Sequence, residues 1–193
     1  APMWYAAGNP PSYEMAGRMG LGVLGFSLDR WDKVEKLRKS YKDGIANAEP
    51  IGSFVNDNIM SCIAAYVAED KETAYQSYVD SKPNYLVSNV YRYHDTFPAP
   101  DWVPPWPQTL PEPTLETAQL ASEFGGVVLG DPDMALAQCK KWEAAGIDQL
   151  VFGIGPAKIE DTLRTIKLLG EHVIPKIDTD PVVSTTRYRE SAG

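Results

Sequence analysis

"PMWYAAGNPPSYEMAGRMGLGVLGF", Pro2 to Phe26, decides the fold. Met3 to Ala7 is short, apolar and flanked by turn residues, which reads as a buried strand. Gly8-Asn9-Pro10-Pro11 is a turn, and the helix after it, capped by Ser12 or a neighbour, runs to about Met19. Leu21 to Phe26 is a second buried strand, its glycines permitting close packing. Two buried strands joined by a helix form one βαβ unit.

The same alternation continues outward. Arg30 to Gly44 reads as a charged helix with Trp31, Val34, Leu37 and Tyr41 on one face and Gly44 at its end. Asn58 to Val67 is an apolar run and a third strand. Glu69 to about Val90 is helical, with acids at its start. Leu115 to Phe124 is a short helix, and Asp131 at an N-cap with Pro132 at N1 opens another that Gly146 closes. Gln149 to Ile154 is the fourth strand. Glu160 to His172 is amphipathic, with Ile159, Leu163, Ile166 and Leu169 expected inward and "VIPKID" closing it. The tail, residues 179–193, is polar and expected to be loosely held. Alternating buried strands and amphipathic helices predict an α/β domain over residues 1–193, a parallel sheet with helices outside. Four βα units are half the inventory of a (β/α)8 barrel, and a four-stranded doubly wound sheet is the rival arrangement.

Residues 96–113, "TFPAPDWVPPWPQTLPEP", interrupt this pattern. Their prolines lack the N–H that a helix interior or central strand needs. A long proline-rich loop is expected to be functional or disordered, and its Trp102 and Trp106 would form a lid, an anchor on the barrel or a partner contact.

Composition narrows the class of function. An apolar fraction of 44% supports a real core, and a net charge of −8 repels polyanions, which argues against nucleic-acid and anionic-membrane binding. No apolar run approaches the roughly 20 residues of a membrane span. Cys62 and Cys139 are expected to be buried free thiols of a cytoplasmic protein, and with His94 and His172 isolated no metal-ligand spacing is present. His94, beside the proline-rich loop, is expected to be solvated rather than a general base, and Glu14 with Arg18 an exposed i,i+4 pair. No dinucleotide or P-loop glycine signature is present.

The opening stretch resembles the fifth βα unit of the luciferase-like monooxygenases, the family of bacterial luciferase and related flavin- and deazaflavin-dependent enzymes. The pattern there is "P-x-W-x-A-A-x-S-P-x-S-x-x-x-A-A-x-x-G", matched here by Pro2, Trp4, Ala6, Ala7, Asn9, Pro10, Ser12, Ala16 and Gly20. "GDPDMALAQCKKWEAAGIDQLVF" is similar to a "G-x-P-e-x-x-x-x-x-l-x-x-a-G-v-D-q-l" segment of the family, "LRTIKLLGEHVIPKI" to its closing helix, and "AAYVAEDKETA" to its seventh strand. The resemblance spans nearly the whole chain and implies strands five to eight of a TIM barrel, the C-terminal half.

That resemblance also implies chemistry. Reduced FMN, delivered by a separate flavin reductase, reacts with O₂ and oxidises a small organic substrate; deazaflavin (F420) members transfer hydride instead. The turn after the first strand binds the flavin phosphate in the family, which makes Ala7, Gly8, Asn9, Ser12 and Tyr13 the candidate cofactor-binding residues. Physical chemistry agrees: free N–H groups at a helix N-terminus attract phosphate, Gly8 permits close approach, and Asn9 and Ser12 add donors. The family has Ser where Asn9 stands. Its catalytic histidine lies in the other half, so no catalytic residue is assigned. A half barrel has two open strand edges and an apolar inner face. The expected partners are therefore the N-terminal half of the barrel or a second copy in a homo-oligomer. A non-catalytic flavin-binding half-barrel is the alternative to an enzyme.

Overall fold

The computed structural model describes residues 2–26, 31–81, 91, 93–94, 98–101, 103–108, 110–155, 157–180, 182 and 184–191. Five strands, β1 (Trp4–Ala6), β2 (Gly22–Phe26), β3 (Ile59–Val67), β4 (Val127–Gly130) and β5 (Gln149–Gly153), form one parallel sheet. The helices are α1 (Pro10–Arg18), α2 (Trp31–Ile45), α3 (Lys71–Ser81), α4 (Leu115–Phe124), α5 (Pro132–Ala144) and α6 (Ile159–Leu168). A π-turn (Leu169–Val173) continues α6 into α7 (Ile174–Ile177), and α8 (Ser184–Ser191) follows. The widened turn sits just before Pro175, which has no N–H to give the regular ladder.

β3 organises the sheet. Its first residues pair with β2 (Val23 with Ile59, Phe26 with Cys62) and its last with β4 (Ala64 with Val127, Val67 with Gly130). β5 runs along the opposite edge, from Met60–Gln149 to Ala64–Gly153. The continuous path is thus β1-β2-β3-β5, with β4 extending the tail of β3. Asp148 fixes the start of β5: its carboxylate accepts the Ile59 N–H at 2.8 Å, and its own N–H donates to the Ile59 carbonyl at 2.9 Å.

Side chains alternate across the sheet, so its two faces differ. Val23, Ile59, Ile63 and Val67 are buried in the main core with Tyr41, Cys139, Trp142, Leu169 and Val173 from the helices. On the other face Trp4, Leu24, Met60 and Cys62 are only half-buried, and Ala6 and Val151 are exposed. Among the described residues, the cover on that face is at its tail, where Tyr66, Val127 and Leu129 meet Ala74 of α3 and Ala118 of α4.

Several buried polar groups are paired across the core. The Tyr41 hydroxyl lies 3.0 Å from the Leu21 carbonyl and 2.9 Å from that of Asn56, and accepts the Asn58 N–H at 3.1 Å. The Gln138 amide accepts the Leu129 N–H at 2.9 Å and donates to the Leu129 carbonyl at 3.0 Å and to Ser122 Oγ at 2.7 Å. Gln138 therefore occupies the outer edge of β4 as a further strand would.

Several sequence expectations are corrected. Strand β4 lies where only a helix start was read, because four residues are too few to show a period. Gly44 does not end α2, which continues to Ile45; it stands at the α1–α2 crossing, where a Cβ would lie 2.2 Å from the Glu14 carbonyl oxygen. Of the helix face expected inward from Ile159 to Leu169, Leu169 is buried as read, but Ile159, Leu163 and Ile166 are exposed, and Thr165 and Leu168 are buried in their place. The tail is not wholly irregular, since α8 forms within it. Residues 82–90 of the expected long helix, the Trp31 side chain and Trp102 lie outside what is described.

Candidate functional site

The candidate site is the turn between β1 and α1, at the C-terminal end of its strand, where parallel α/β folds place ligands. Its geometry is a reciprocal cap. Asn9, not Ser12, is the N-cap: Asn9 Oδ1 accepts the Ser12 N–H at 3.0 Å. Ser12 Oγ in return accepts the Asn9 N–H at 3.2 Å and the Gly8 N–H at 3.3 Å, and donates to the Asn9 carbonyl at 2.8 Å. Asn9 and Gly8 are exposed, and a Cβ on Gly8 would meet nothing within 4 Å, so the turn opens to solvent.

This changes the expected donor set. The first two helical positions are Pro10 and Pro11, which have no N–H. The Ser12 N–H is held by Asn9, and the Tyr13 N–H bonds the Asn9 carbonyl at 3.1 Å. The free backbone amides expected at this helix N-terminus are therefore absent. What remains for an anion is the Asn9 side-chain amide, the Ser12 hydroxyl if it releases the Asn9 carbonyl, and the positive end of the helix dipole.

The other candidates fall around this turn. Ala7 is buried and its N–H is spent on the Leu24 carbonyl at 3.1 Å. Tyr13 is buried, its hydroxyl over Gly25, where a Cβ would lie 2.3 Å from it; burial raises the pKa of the phenol. Ala7 and Tyr13 thus shape the floor, and Gly8, Asn9 and Ser12 face the opening. On the far side of α1, Pro11, Glu14, Met15, Arg18, Met19, Glu49 and Ile51 line a shallow open groove, which is not at the strand end. Glu14 and Arg18 both line it, and among the described residues the expected ion pair between them is not formed.

His94 is not the solvated side chain expected. It is half-buried, its Nε2–H donates to the Pro104 carbonyl at 2.9 Å, and Trp106 meets its ring edge-on at 5.4 Å. Nδ1 is buried and has no partner among the described residues. Trp106 itself is 69% exposed. Cys62 is half-buried on the open sheet face, and Cys139 is buried in the main core, where its thiol is pushed up to about 11. Among the described residues no helix is long and apolar enough to cross a membrane.

Sequence reasoning missed the residues that hold the strand ends in place. Thr165 and Gln138 are single polar residues on apolar helix faces. That is the only signal the sequence offers for such a clamp.

No family model and no curated protein matches the chain. Solved structures do. Monooxygenase RslO1 from Streptomyces bottropensis is 21% identical with a TM-score of 0.62, covering 91% of this chain and 48% of that one. The oxygenating constituent of 3,6-diketocamphane monooxygenase from Pseudomonas putida, in complex with FMN, is 14% identical with a TM-score of 0.64, covering 90% and 48%. The coenzyme F420-dependent tetrahydromethanopterin reductase from Methanopyrus kandleri is 17% identical with a TM-score of 0.56, covering 91% and 50%. These neighbours are luciferase-like monooxygenases and related F420-dependent enzymes, and this chain spans about half the length of each. The chain therefore has the parallel α/β fold found in the luciferase-like TIM-barrel enzymes.

Proposed function

We propose that this chain is the C-terminal half, strands five to eight, of a luciferase-like oxidoreductase barrel. In this reading β1, β2, β3 and β5 are the four barrel strands, and β4 is an addition to the seventh. The cofactor is FMN, reduced by a separate reductase, and the reaction is oxygenation of a small organic substrate. The single observation that carries the reading is the match of nine-tenths of this chain to half of an FMN-containing monooxygenase. The F420-dependent reductase among the neighbours supports F420 as the second reading.

The donor set of the turn fits a phosphate through side chains alone. Asn9 and Ser12 would hold it, with Gly8 leaving the approach clear and Tyr13 supporting the floor. A bound flavin would supply O₂ activation, and a deazaflavin hydride transfer. The chain's own part is to orient the cofactor and to exclude water from the face it covers.

The test is binding of FMN and of F420 to the wild type and to Ser12→Asp, followed by fluorescence. Aspartate at the third helical position suits the dipole, so α1 survives while a carboxylate faces the phosphate. We expect affinity for the preferred cofactor to fall at least about tenfold, since one repulsive contact of ~1.4 kcal/mol suffices. Unchanged affinity would remove the turn from the site.

A further inference from the structure

No further inference is drawn: the strongest candidate, the shallow open groove beside α1 where Glu14, Arg18 and Glu49 stand around Met15, Met19 and Ile51, carries nothing because nothing in the structure shows what covers it.

Discussion

Thr165 and Val67 exchange two hydrogen bonds. Thr165 Oγ1 accepts the Val67 N–H and donates to the Val67 carbonyl, each at 3.1 Å. β5 ends at Gly153, opposite Ala64, so β3 outruns its neighbour on that side. A side chain from α6 takes over where the strand stops. Thr165→Val keeps the shape and removes both bonds, leaving two buried backbone groups unsatisfied. We expect a loss of roughly 2–4 kcal/mol in urea unfolding, with Thr165→Ser losing much less. A loss under about 0.5 kcal/mol would mean that water replaces the hydroxyl.

The crossing of α1 over α2 depends on two glycines. A Cβ on Gly17 would lie 2.4 Å from the Tyr41 carbonyl oxygen, and one on Gly44 would lie 2.2 Å from that of Glu14. Alanine in a helix interior normally gains about 1 kcal/mol over glycine. Here the obstacle is backbone, which cannot rotate away, so overpacking wins. Gly17→Ala and Gly44→Ala should each lower stability by roughly 1–3 kcal/mol. A thermal midpoint equal to or above wild type for either would show that the two helices separate freely.

Asn9 has two roles that can be divided. Aspartate is as good an N-cap as asparagine but brings no donor and adds a negative charge. Asn9→Asp should therefore leave the thermal midpoint nearly unchanged and weaken FMN binding at least about tenfold. Asn9→Ala should do the opposite in part, losing about 1 kcal/mol of stability through the cap. Equal cofactor affinity in the aspartate variant and the wild type would assign Asn9 to the helix alone.

Burial of Cys139 gives stability a pH dependence. Its thiol is pushed from 9.0 up to about 11 in the folded chain. Between those values the unfolded chain releases this proton and the folded chain retains it, so stability is full below pH 9 and falls as pH rises toward 11. Cys139→Ala should show a shallower loss over that interval than the wild type, in urea midpoints taken at pH 7, 9 and 10.5. The raised Tyr13, Tyr66 and Tyr78 act in the same direction in both chains, so the difference isolates the thiol. Identical slopes would mean that Cys139 ionises as freely folded as unfolded.

Much of this fold was legible because its signals are local. Thr114 caps α4, which runs from Leu115 to Phe124 as read, and Asp131-Pro132 opens α5 with the Asp131 carboxylate accepting the Met134 N–H at 2.9 Å. Gly146, at φ +89, follows the end of α5, as its place in the sequence suggested. What escaped was non-local. The spacing of Ile159, Leu163 and Ile166 reveals an apolar stripe, but spacing carries no information on whether the cover lies in the same chain. Gly44 reads as a helix stop until the Glu14 carbonyl is seen against it. The closed amides of the candidate site were written in Pro10-Pro11, yet a capped turn and an anion-binding turn share the same residues until the cap is traced.

The triple duty of β3 has a kinetic consequence. β1, β2 and β3 all lie within the first 67 residues, closer in sequence than β3 and β5, so the first half of the sheet can condense early. The last barrel strand docks on β3 through pairs such as Ile59 with Asp148, 89 residues apart. Closing so long a loop is slow compared with the local steps. Until it happens, the β5-side edge of β3, the longest of the described strands, stands bare, so the interval between synthesis of Val67 and arrival of Phe152 is when this protein is most exposed to misassembly.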